Sequence, residues 1–545
     1  MATQTSENPA FREAAARSAR DAGVRAEGGR EGALGVVRSQ RVAWAALAVT
    51  CALACAVFWA FEALPFQDLP AHAGLIALRS RIDASPIDRH YFVYAPHVGP
   101  YTLFRCLGEV FGRVLGPLAA VRLLATLPII TMPLALMTAR RRLHGEWSPT
   151  YGFLGIVLSF GFMTLLGFAS YQLGLSILVF TLPLWLAHAE KAGGAGRAKD
   201  EIFLSGLCLL LFVAHGHAFL LFNLIVGVSL LVPLRASLLT RLRAVRPVIP
   251  ALSLAAGVAF WERGHAVPQG AAAVDAHMTT LFQGALDKFS LLITPTLMTR
   301  SGVDFFIGIV IWLWTLALLG RIVASVIRGK ASLAARRLIL ASLVLFGAFA
   351  ALPHNIRWFG FVDGRLVPLL LLLPALAAPP NLLGPIAAGL ERRVAPLVAM
   401  AMVVSALVAS YRFQDEARGY KEVLGRVPAA ARLLNLPLDP NSDVFTAHPF
   451  VHYDKLIMVD RPSVPSDVWF HQGSAVYPTE ANPALRLPEN YVESDLKGIQ
   501  WQAYDLHDWD YVLVRTRPDG TLHDVPGSLS LVEHRGGWWL YRRTL

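Results

Sequence analysis

The chain has 545 residues, of which 55% are hydrophobic and only 16% are charged, and its mean hydropathy is +0.48. Soluble domains carry about a quarter charged residues, so this composition excludes an ordinary soluble protein and indicates long apolar segments that cross a membrane. The net charge of +11 does not indicate a nucleic-acid partner, because the arginines cluster between apolar segments, where the positive-inside rule places them.

The N-terminal segment is polar and rich in Ala, Gly, Arg and Glu, without periodic apolar positions. This composition predicts a disordered cytoplasmic tail over 1–41. The apolar stretch 42–61 is too long for the hydrophobic region of a signal peptide, so we interpret it as a retained first span.

Apolar stretches follow one another from residue 42 to residue 411 and define the predicted transmembrane domain. A transmembrane helix needs about 20 mostly apolar residues, and only two of the stretches are clearly short. We therefore predict an α-helical polytopic membrane protein with about eleven spans. These are 42–61, 118–138, 150–168, 171–189, 202–214, 217–234, 247–261, 303–325, 337–353, 364–389 and 394–411.

The basic loops all fall on one side of this arrangement. Arginine and lysine cluster after the second, fourth and sixth spans, between the eighth and ninth, and before the last. The positive-inside rule assigns that side to the cytoplasm. We therefore expect a multi-pass protein of the inner (cytoplasmic) membrane, with a cytoplasmic N-terminus and an extracytoplasmic C-terminal domain.

Residues 412–545 have a different composition, with many Trp, Tyr, Pro and Asp residues. Tyr511–Arg515 alternates like a strand. Ser528–His534 and Trp538–Arg542 surround two glycines, which indicates a hairpin. We predict a small, soluble, mixed α/β domain here.

The first outer loop, 62–117, carries the most informative motif, Gln67-Asp68-Leu69-Pro70-Ala71-His72. Its carboxylate follows the first span closely and is therefore expected at the membrane surface. Apolar spacing predicts two amphipathic helices in this loop, at 69–81 and 101–115, lying in the plane of the interface. Asp68 is also a good helix N-cap, with Pro70 in the first turn, so a capping role is the alternative to a chemical one.

His215 and His217 flank Gly216 between two apolar segments on the outer face. Residues two apart on a helix point about 200° away from each other, so the pair meets at one site only in an extended turn. The alternatives are a metal pair and a hydrogen-bonded histidine at a helix end, and we favour the second.

Arg357, Asp363 and Arg365 border the ninth and tenth spans, and Arg365 begins an apolar run. Burying an arginine in the membrane costs about 2.5–3.5 kcal/mol unless it is paired or reaches the interface. One interpretation is an interfacial anchor or a salt bridge with Asp363. The other is a phosphate clamp, since the guanidinium fork suits tetrahedral oxyanions.

The layout and these motifs resemble the GT-C superfamily of membrane glycosyltransferases, which use polyprenyl-phosphate-linked sugars. Asp68 matches the acidic position of the first extracytoplasmic loop in that family, and 69–81 and 101–115 match its two juxtamembrane helices. Gly167–Leu175 resembles a turn often found in relatives, and Arg365–Pro368 resembles their late helix start. A C-terminal periplasmic domain is also common in the family.

The resemblance implies transfer of a sugar from a polyprenyl-phosphate donor to an acceptor hydroxyl on the extracytoplasmic face. A polyprenyl phosphate leaves without protonation, so one carboxylate as base and one cation beside the phosphate suffice. Asp68 is the candidate base. The candidate substrate-binding residues are His72, His215, Arg357, Asp363 and Arg365.

The expected partners are a lipid-linked sugar donor, a glycan, lipid or protein acceptor, and membrane lipids. No cofactor is implied with certainty, and a divalent metal is left open, although Leu69 rather than a second acid follows Asp68. The alternatives are a non-enzymatic transporter of lipid or polysaccharide, a sensor, and a ligase of polymer to lipid. Transporters tend to carry internal repeats and broken helices at mid-membrane, whereas here polar groups collect at one surface, which favours the enzyme.

Overall fold

The computed structural model describes residues 40–544 apart from 192–197, 234–235, 265–279, 294–295, 297, 357–358, 470–474, 489–490, 494–495 and 497. Nearly all of the predicted disordered tail, 1–41, lies outside the described residues, and so does the candidate Arg357. Helices dominate the described part of the chain, and a small sheet lies near its C-terminal end.

The helices of the membrane region follow one another in chain order. The first group is α1 (Gln40–Trp59), α2 (Leu69–Arg81), α3 (Pro86–Tyr91), α4 (Thr102–Leu115), α5 (Pro117–His144), α6 (Pro149–Ser159), α7 (Phe162–Leu165), α8 (Ala169–Lys191) and α9 (Ala198–Ala214). The second group is α10 (Gly216–Ser229), α11 (Leu238–Val245), α12 (Ile249–Gly264), α13 (Ala285–Ile293), α14 (Gly302–Ile327), α15 (Leu333–Ala351), α16 (Val367–Ala377) and α17 (Pro385–Glu416).

Within the described residues, seven helices are long and apolar enough to cross a membrane, and three apolar helices are shorter. Each predicted span overlaps one of the helices above, so the polytopic α-helical architecture is confirmed, whereas the number of crossings stays a prediction. The seven long helices are Gln40–Trp59, Pro117–His144, Ala169–Lys191, Leu238–Glu262, Gly302–Ile327, Leu333–Ala351 and Pro385–Glu416.

The predicted span 364–389 is wrong in its second half. The helix ends at Ala377, and α17 then begins at Pro385 rather than near residue 394. Two consecutive prolines, Pro379 and Pro380, follow the end of α16, and proline neither donates a backbone hydrogen bond nor tolerates a preceding helical turn. Hydropathy cannot detect this break, because the turn is itself apolar.

Helices α2 and α4 form where the sequence predicts them, but α2 does not lie exposed in an interface. Ten of its 13 residues are buried. Residues 453–460 of the C-terminal domain cover it so closely that a Cβ on Gly74 would lie 2.9 Å from the carbonyl oxygen of Lys455. The predicted amphipathic character is therefore wrong for α2, because a domain distant in sequence packs over it, whereas its position in the plane of the interface stays a prediction.

Helix α4 is the amphipathic member of the pair. Phe104, Gly108 and Gly112 face the interior, and the two glycines let the side chain of Ile76 on α2 approach the helix backbone. Val110 and Val114 are exposed on the opposite face. This apolar exposed face fits the predicted position at a membrane interface.

The C-terminal domain contains a five-stranded mixed sheet in the order β3-β2-β5-β7-β6. Tyr511–Arg515 forms a strand, and the two segments around the glycines pair as an antiparallel hairpin, so both of these predictions are confirmed. One strand, β1 (Phe92–Tyr94), lies in the first outer loop. The strands of the domain are β2 (Arg432–Pro437), β3 (Val464–Pro465), β4 (Val476–Pro478), β5 (Tyr511–Arg515), β6 (Leu529–Arg535) and β7 (Trp538–Arg543), and its two short helices are α18 (Tyr420–Gly425) and α19 (Ile457–Asp460).

Both faces of this sheet are covered. Alternate residues of a strand point to opposite faces, and on β5 Val512 and Val514 enter a small core with Trp501. Leu513 enters the main core, which is continuous with the membrane region. The sheet therefore joins the membrane helices through packed apolar side chains rather than through a flexible linker.

The first outer loop and the C-terminal domain are also hydrogen-bonded to each other. Strand β1 of the loop pairs with β4 of the domain in antiparallel fashion. The Tyr453 hydroxyl donates to the carbonyl of Leu64 at 2.8 Å. These bonds fix the loop against the domain, and the division at residue 412 stays a prediction.

We expect Gly74→Leu to destabilise the protein, because the added side chain must displace the backbone at Lys455. Overpacking of this kind costs about 1–3 kcal/mol. Thermal unfolding in detergent measures the loss. Gly206→Leu is the matched control, since no heavy atom of another described segment lies within 4 Å of a Cβ built there. Equal melting temperatures for the two variants would contradict the close contact between α2 and the C-terminal domain.

The orientation of the chain gives a second prediction. With every basic loop in the cytoplasm, a reporter that is active only outside the cytoplasm should be active when fused to the C-terminus. A reporter that is active only inside serves as the control. A well-expressed fusion with the opposite activity pattern would refute the odd number of spans.

Candidate active site

Asp68 occupies the N-cap position of α2, but its side chain does not cap that helix. Its backbone angles, φ −91° and ψ −11°, are helical rather than extended, so the carboxylate is not turned back onto the first helical turn. The capping alternative for Asp68 is therefore wrong. The carboxylate is left for other contacts.

The turn between α7 and α8 is hydrogen-bonded to the backbone at Asp68. The amides of Gln67 and Asp68 donate to the carbonyls of Leu165 and Leu166, at 3.0 and 3.2 Å. Gly167 has a φ of +85°, and a Cβ there would lie 2.8 Å from the Cβ of Asp68. Only glycine fits this place, both for its left-handed backbone and for the lack of space.

Arg365 is buried at the start of α16, with 5% of its surface exposed. Its guanidinium carbon lies 4.0 Å from the ring centre of Phe359 and 4.5 Å from that of Phe168. The Nε and Nη1 atoms have no hydrogen-bond partner among the described residues. A buried cation with two free donors is costly unless an anion completes it, so this arrangement favours an anionic ligand.

Aromatic side chains surround the guanidinium of Arg365. The Tyr101 side chain hydrogen-bonds to Arg365, and the Tyr171 hydroxyl donates to its carbonyl oxygen. The His215 ring stands edge-on to both tyrosines, 4.8 Å from the ring centre of Tyr101 and 5.4 Å from that of Tyr171. We call Asp68, Arg365, Tyr101, Tyr171 and His215 the Asp68–Arg365 cluster.

The two histidines of the α9–α10 turn have separate roles. His215 is the N-cap of α10, where its Nδ1 accepts from the Ala218 amide at 3.4 Å, so the hydrogen-bonded histidine at a helix end is confirmed. The His217 ring stacks on Phe359 at 5.6 Å, and its Nε2 has no partner within the described residues. Nor do those residues contain a group of three or more His, Cys, Asp and Glu that would hold a metal.

Asp363 does not pair with Arg365, so the salt-bridge interpretation is wrong. Its carboxylate accepts from Lys288 at 2.8 Å, from His354 at 2.8 Å and from the Gly364 amide at 2.7 Å. These bonds fix the turn that carries Arg365. Asp363 thus supports the site from behind, and its oxygens are already engaged with protein groups.

The C-terminal domain contributes two side chains that the sequence did not reveal. The His72 ring lies 4.9 Å from Phe104 and 5.0 Å from Trp469. The ring centre of His452 lies 5.1 Å from that of Trp469, and its Nε2 is 3.8 Å from an Asp68 oxygen. No local motif marks His452 or Trp469, because only the packing of the domain over α2 brings them here.

Burial changes the acidity of Asp68. Desolvation raises the pKa of its carboxyl group to about 7, although the charges of His452 and Arg365 and a hydrogen bond from Gln67 act in the opposite direction. A carboxyl group with this pKa is partly ionised at neutral pH. It is therefore poised to take a proton from a hydroxyl group and to release it again.

The predicted site residues thus divide into three sets. Asp68, His215 and Arg365 lie together in the Asp68–Arg365 cluster, and His72 borders Asp68 through Trp469 and His452. Asp363 does not pair with Arg365 but fixes the turn that carries it. Arg357 lies outside the described residues.

No protein-family model matches this sequence, and no curated protein matches it. Solved structures do match. Arabinofuranosyltransferase AftD from Mycobacteria superposes with a TM-score of 0.50 and 16% identity, over 93% of this chain and 40% of AftD. ArnT from Cupriavidus metallidurans, bound to undecaprenyl phosphate, gives a TM-score of 0.49 and 12% identity over 93% of this chain and 97% of ArnT.

The archaeal oligosaccharyltransferase AglB from Archaeoglobus fulgidus, in complex with an inhibitory peptide and a dolichol-phosphate, gives a TM-score of 0.45 and 12% identity over 87% of this chain and 69% of AglB. At these identities the similarity concerns the fold alone. The chain has an α-helical, polytopic GT-C-like fold with a small C-terminal sheet region.

Proposed function

We propose that the protein is a membrane glycosyltransferase that moves a sugar from a polyprenyl-phosphate donor to an acceptor hydroxyl on the extracytoplasmic face. The observation that carries this proposal is that a half-buried carboxylate, Asp68, lies within electrostatic reach of a buried guanidinium, Arg365, that has two unpartnered nitrogens within the described residues. The fold supports it, since ArnT binds undecaprenyl phosphate and AglB binds a dolichol-phosphate.

Arg365 is the proposed binding group for the donor phosphate. Its Nε and Nη1 supply two donors in the fixed geometry of a guanidinium fork, which matches two oxygens of a phosphate. The Tyr101 side chain interacts with the guanidinium of Arg365, and the His217 ring stacks on Phe359, whose ring also contacts that guanidinium. The cation offsets the negative charge that grows on the phosphate as the bond to the sugar breaks.

Asp68 is the proposed base. The acceptor oxygen forms a bond to the anomeric carbon, and the bond from that carbon to the phosphate oxygen breaks with its electron pair remaining on the phosphate. The proton of the acceptor hydroxyl passes to the Asp68 carboxylate. This sequence needs neither an acid for the leaving group nor a second carboxylate in the cluster.

A transporter of lipid or polysaccharide and a polymer ligase are the alternatives. The concentration of the unpartnered and pKa-shifted groups in one cluster favours surface chemistry over transport. A ligase shares the proposed chemistry and differs in its acceptor, so an assay with water as the acceptor tests the chemistry before the acceptor is known.

Replacing Asp68 by Asn separates a base from a structural role. Asn keeps the size of the side chain but cannot accept the proton, so turnover should fall by about 10²–10⁴. The assay measures release of polyprenyl phosphate from a panel of short-chain polyprenyl-phosphate pentoses and hexoses by the purified full chain in nanodiscs.

The control for this assay is Asp83→Asn, which changes an exposed acid of the same loop and should leave turnover unchanged. Binding of undecaprenyl phosphate should survive in both variants. A folded Asp68→Asn protein with full turnover would contradict the proposed role of Asp68 as the base.

Arg365→Lys keeps the charge but loses the fork, and Arg365→Ala loses both. Each charge-assisted hydrogen bond contributes about 1.5–3 kcal/mol, so affinity for undecaprenyl phosphate alone should fall by about tenfold or more in the Lys variant and further in the Ala variant. Lipid-dependent thermal stabilisation in detergent measures the affinity.

Arg113→Ala, which removes an exposed cation from α4, is the control for charge alone. If both Arg365 variants bind the lipid as the wild type does, Arg365 is an interfacial anchor and not a phosphate ligand.

A further inference from the structure

A cluster of buried charges in the C-terminal domain has no part in the reaction described so far. Lys455 is fully buried, and its Nζ lies 2.7 and 2.6 Å from the two oxygens of Glu493 and 3.1 Å from an oxygen of Asp454. Buried ion pairs contribute little net stability, because desolvation offsets their attraction. Stability alone therefore does not explain why buried ion pairs lie beside the candidate active site.

The cluster is built rigidly. Asn435 on β2 donates to Glu493 and to Asp454, both at 3.1 Å, and the Tyr491 hydroxyl donates to Glu493 at 3.0 Å. Burial raises the pKa of Glu493, but Lys455 and His452 outweigh it and hold the pKa at about 2. Glu493 is thus a fixed carboxylate that accepts hydrogen bonds and donates none.

His452 connects this carboxylate to Asp68. Its Nδ1 lies 3.2 Å from a Glu493 oxygen, and its Nε2 lies 3.8 Å from an Asp68 oxygen. Because Glu493 only accepts, Nδ1 carries the hydrogen, and in the neutral ring the Nε2 lone pair then faces Asp68. The carboxylate of Asp68, the imidazole of His452 and the carboxylate of Glu493 thus lie in series, the first in the outer loop and the other two in the C-terminal domain.

We propose that the C-terminal domain completes the active site by supplying His452, oriented by Glu493, as a positioning residue that takes the proton from Asp68 after glycosyl transfer. This inference rests on the proposed function. It gives the domain a part in the chemistry in addition to its part in the fold.

The proposed steps account for the proton that the acceptor hydroxyl loses. The acceptor hydroxyl loses its proton to Asp68 as the new glycosidic bond forms and the phosphate leaves. Asp68 passes the proton to Nε2 of His452, which becomes an imidazolium between two carboxylates. When the products have left, the imidazolium releases the proton to water, and Asp68 is again ionised for the next turnover.

The charged groups around Asp68 and His452 determine the expected pH dependence of turnover. Arg365 and His452 act on Asp68, and Asp68, Glu493 and Asp467 act on His452. Burial raises the pKa of Asp68 to about 7, and the permanent charge of Arg365 acts in the opposite direction. Turnover should therefore rise with pH through about 7 in the wild type, as Asp68 ionises, and the height of this rise should fall when the proton acceptor His452 is replaced.

The test uses the full chain in nanodiscs and the polyprenyl phosphate release assay. His452→Gln, which keeps the size of the ring approximately, should lower turnover at pH 7 by about 10- to 100-fold and should lower the plateau of the pH profile above pH 7, because the proton on Asp68 then has no acceptor. Binding of undecaprenyl phosphate should stay unchanged. His523→Gln, an exposed histidine of the same domain, should leave turnover and profile as in the wild type.

A second variant separates chemistry from structure. His452→Ala leaves space beside Asp68, and added imidazole should restore part of its turnover, which a structural role would not allow. Glu493→Gln should lower turnover in the same direction as His452→Gln if the protein folds, with melting temperature as the check. The His452 variants decide the outcome, since Glu493→Gln leaves Lys455 buried without its partner.

Different results would overturn the role of His452 and the proposed glycosyltransferase mechanism. A folded His452→Gln protein with wild-type turnover and pH profile, beside an inactive Asp68→Asn protein, would overturn the role of His452 alone. Absence of imidazole rescue in a folded His452→Ala protein would do the same. Full turnover in both Asp68→Asn and His452→Gln would overturn the glycosyltransferase mechanism itself.

Discussion

The contact between α2 and residues 453–460 is the constraint on which the site depends. Gly74 lets the backbone of Lys455 approach helix α2, and the Tyr453 hydroxyl ties the domain to Leu64 just before Asp68. From the other side, Gly167 closes on Asp68 itself. With its backbone held from two directions, Asp68 has little freedom, and preorganisation of this kind is what a catalytic carboxylate requires.

Burial gives the site its chemistry. In water Asp68 would be an ordinary carboxylate and Arg365 a solvated cation, whereas desolvation raises the pKa of Asp68 to about 7 and leaves two nitrogens of Arg365 without partners among the described residues. Asp363 does not neutralise Arg365, because Lys288 and His354 already hold it. The protein thus keeps the buried guanidinium of Arg365 available for an anion, and the proposed anion is a lipid-linked phosphate.

Much of the architecture was predictable, because it follows from local periodicity. Apolar stretches of membrane length located the helices, and the alternation at Tyr511–Arg515 with the glycines before Trp538 located the strands. The errors have physical causes. The span 364–389 was extended through Pro379 and Pro380 because the turn is apolar. Helix α2 was expected to be amphipathic, but it is buried on nearly all sides, because its sequence carries no sign of the domain that covers it.

By itself, the sequence determined the polytopic helical class, the position of Asp68 in the first loop and the position of Arg365 at the start of an apolar run. Only the tertiary structure decided that Asp68 caps nothing, that Asp363 pairs elsewhere, and that His452 and Trp469 reach the loop from about 400 residues away in sequence. Periodicity is a property of neighbours along the chain and can be seen in a single sequence. The closing contacts of the site join distant segments, and they depend on shape and desolvation, which exist only when the chain has folded.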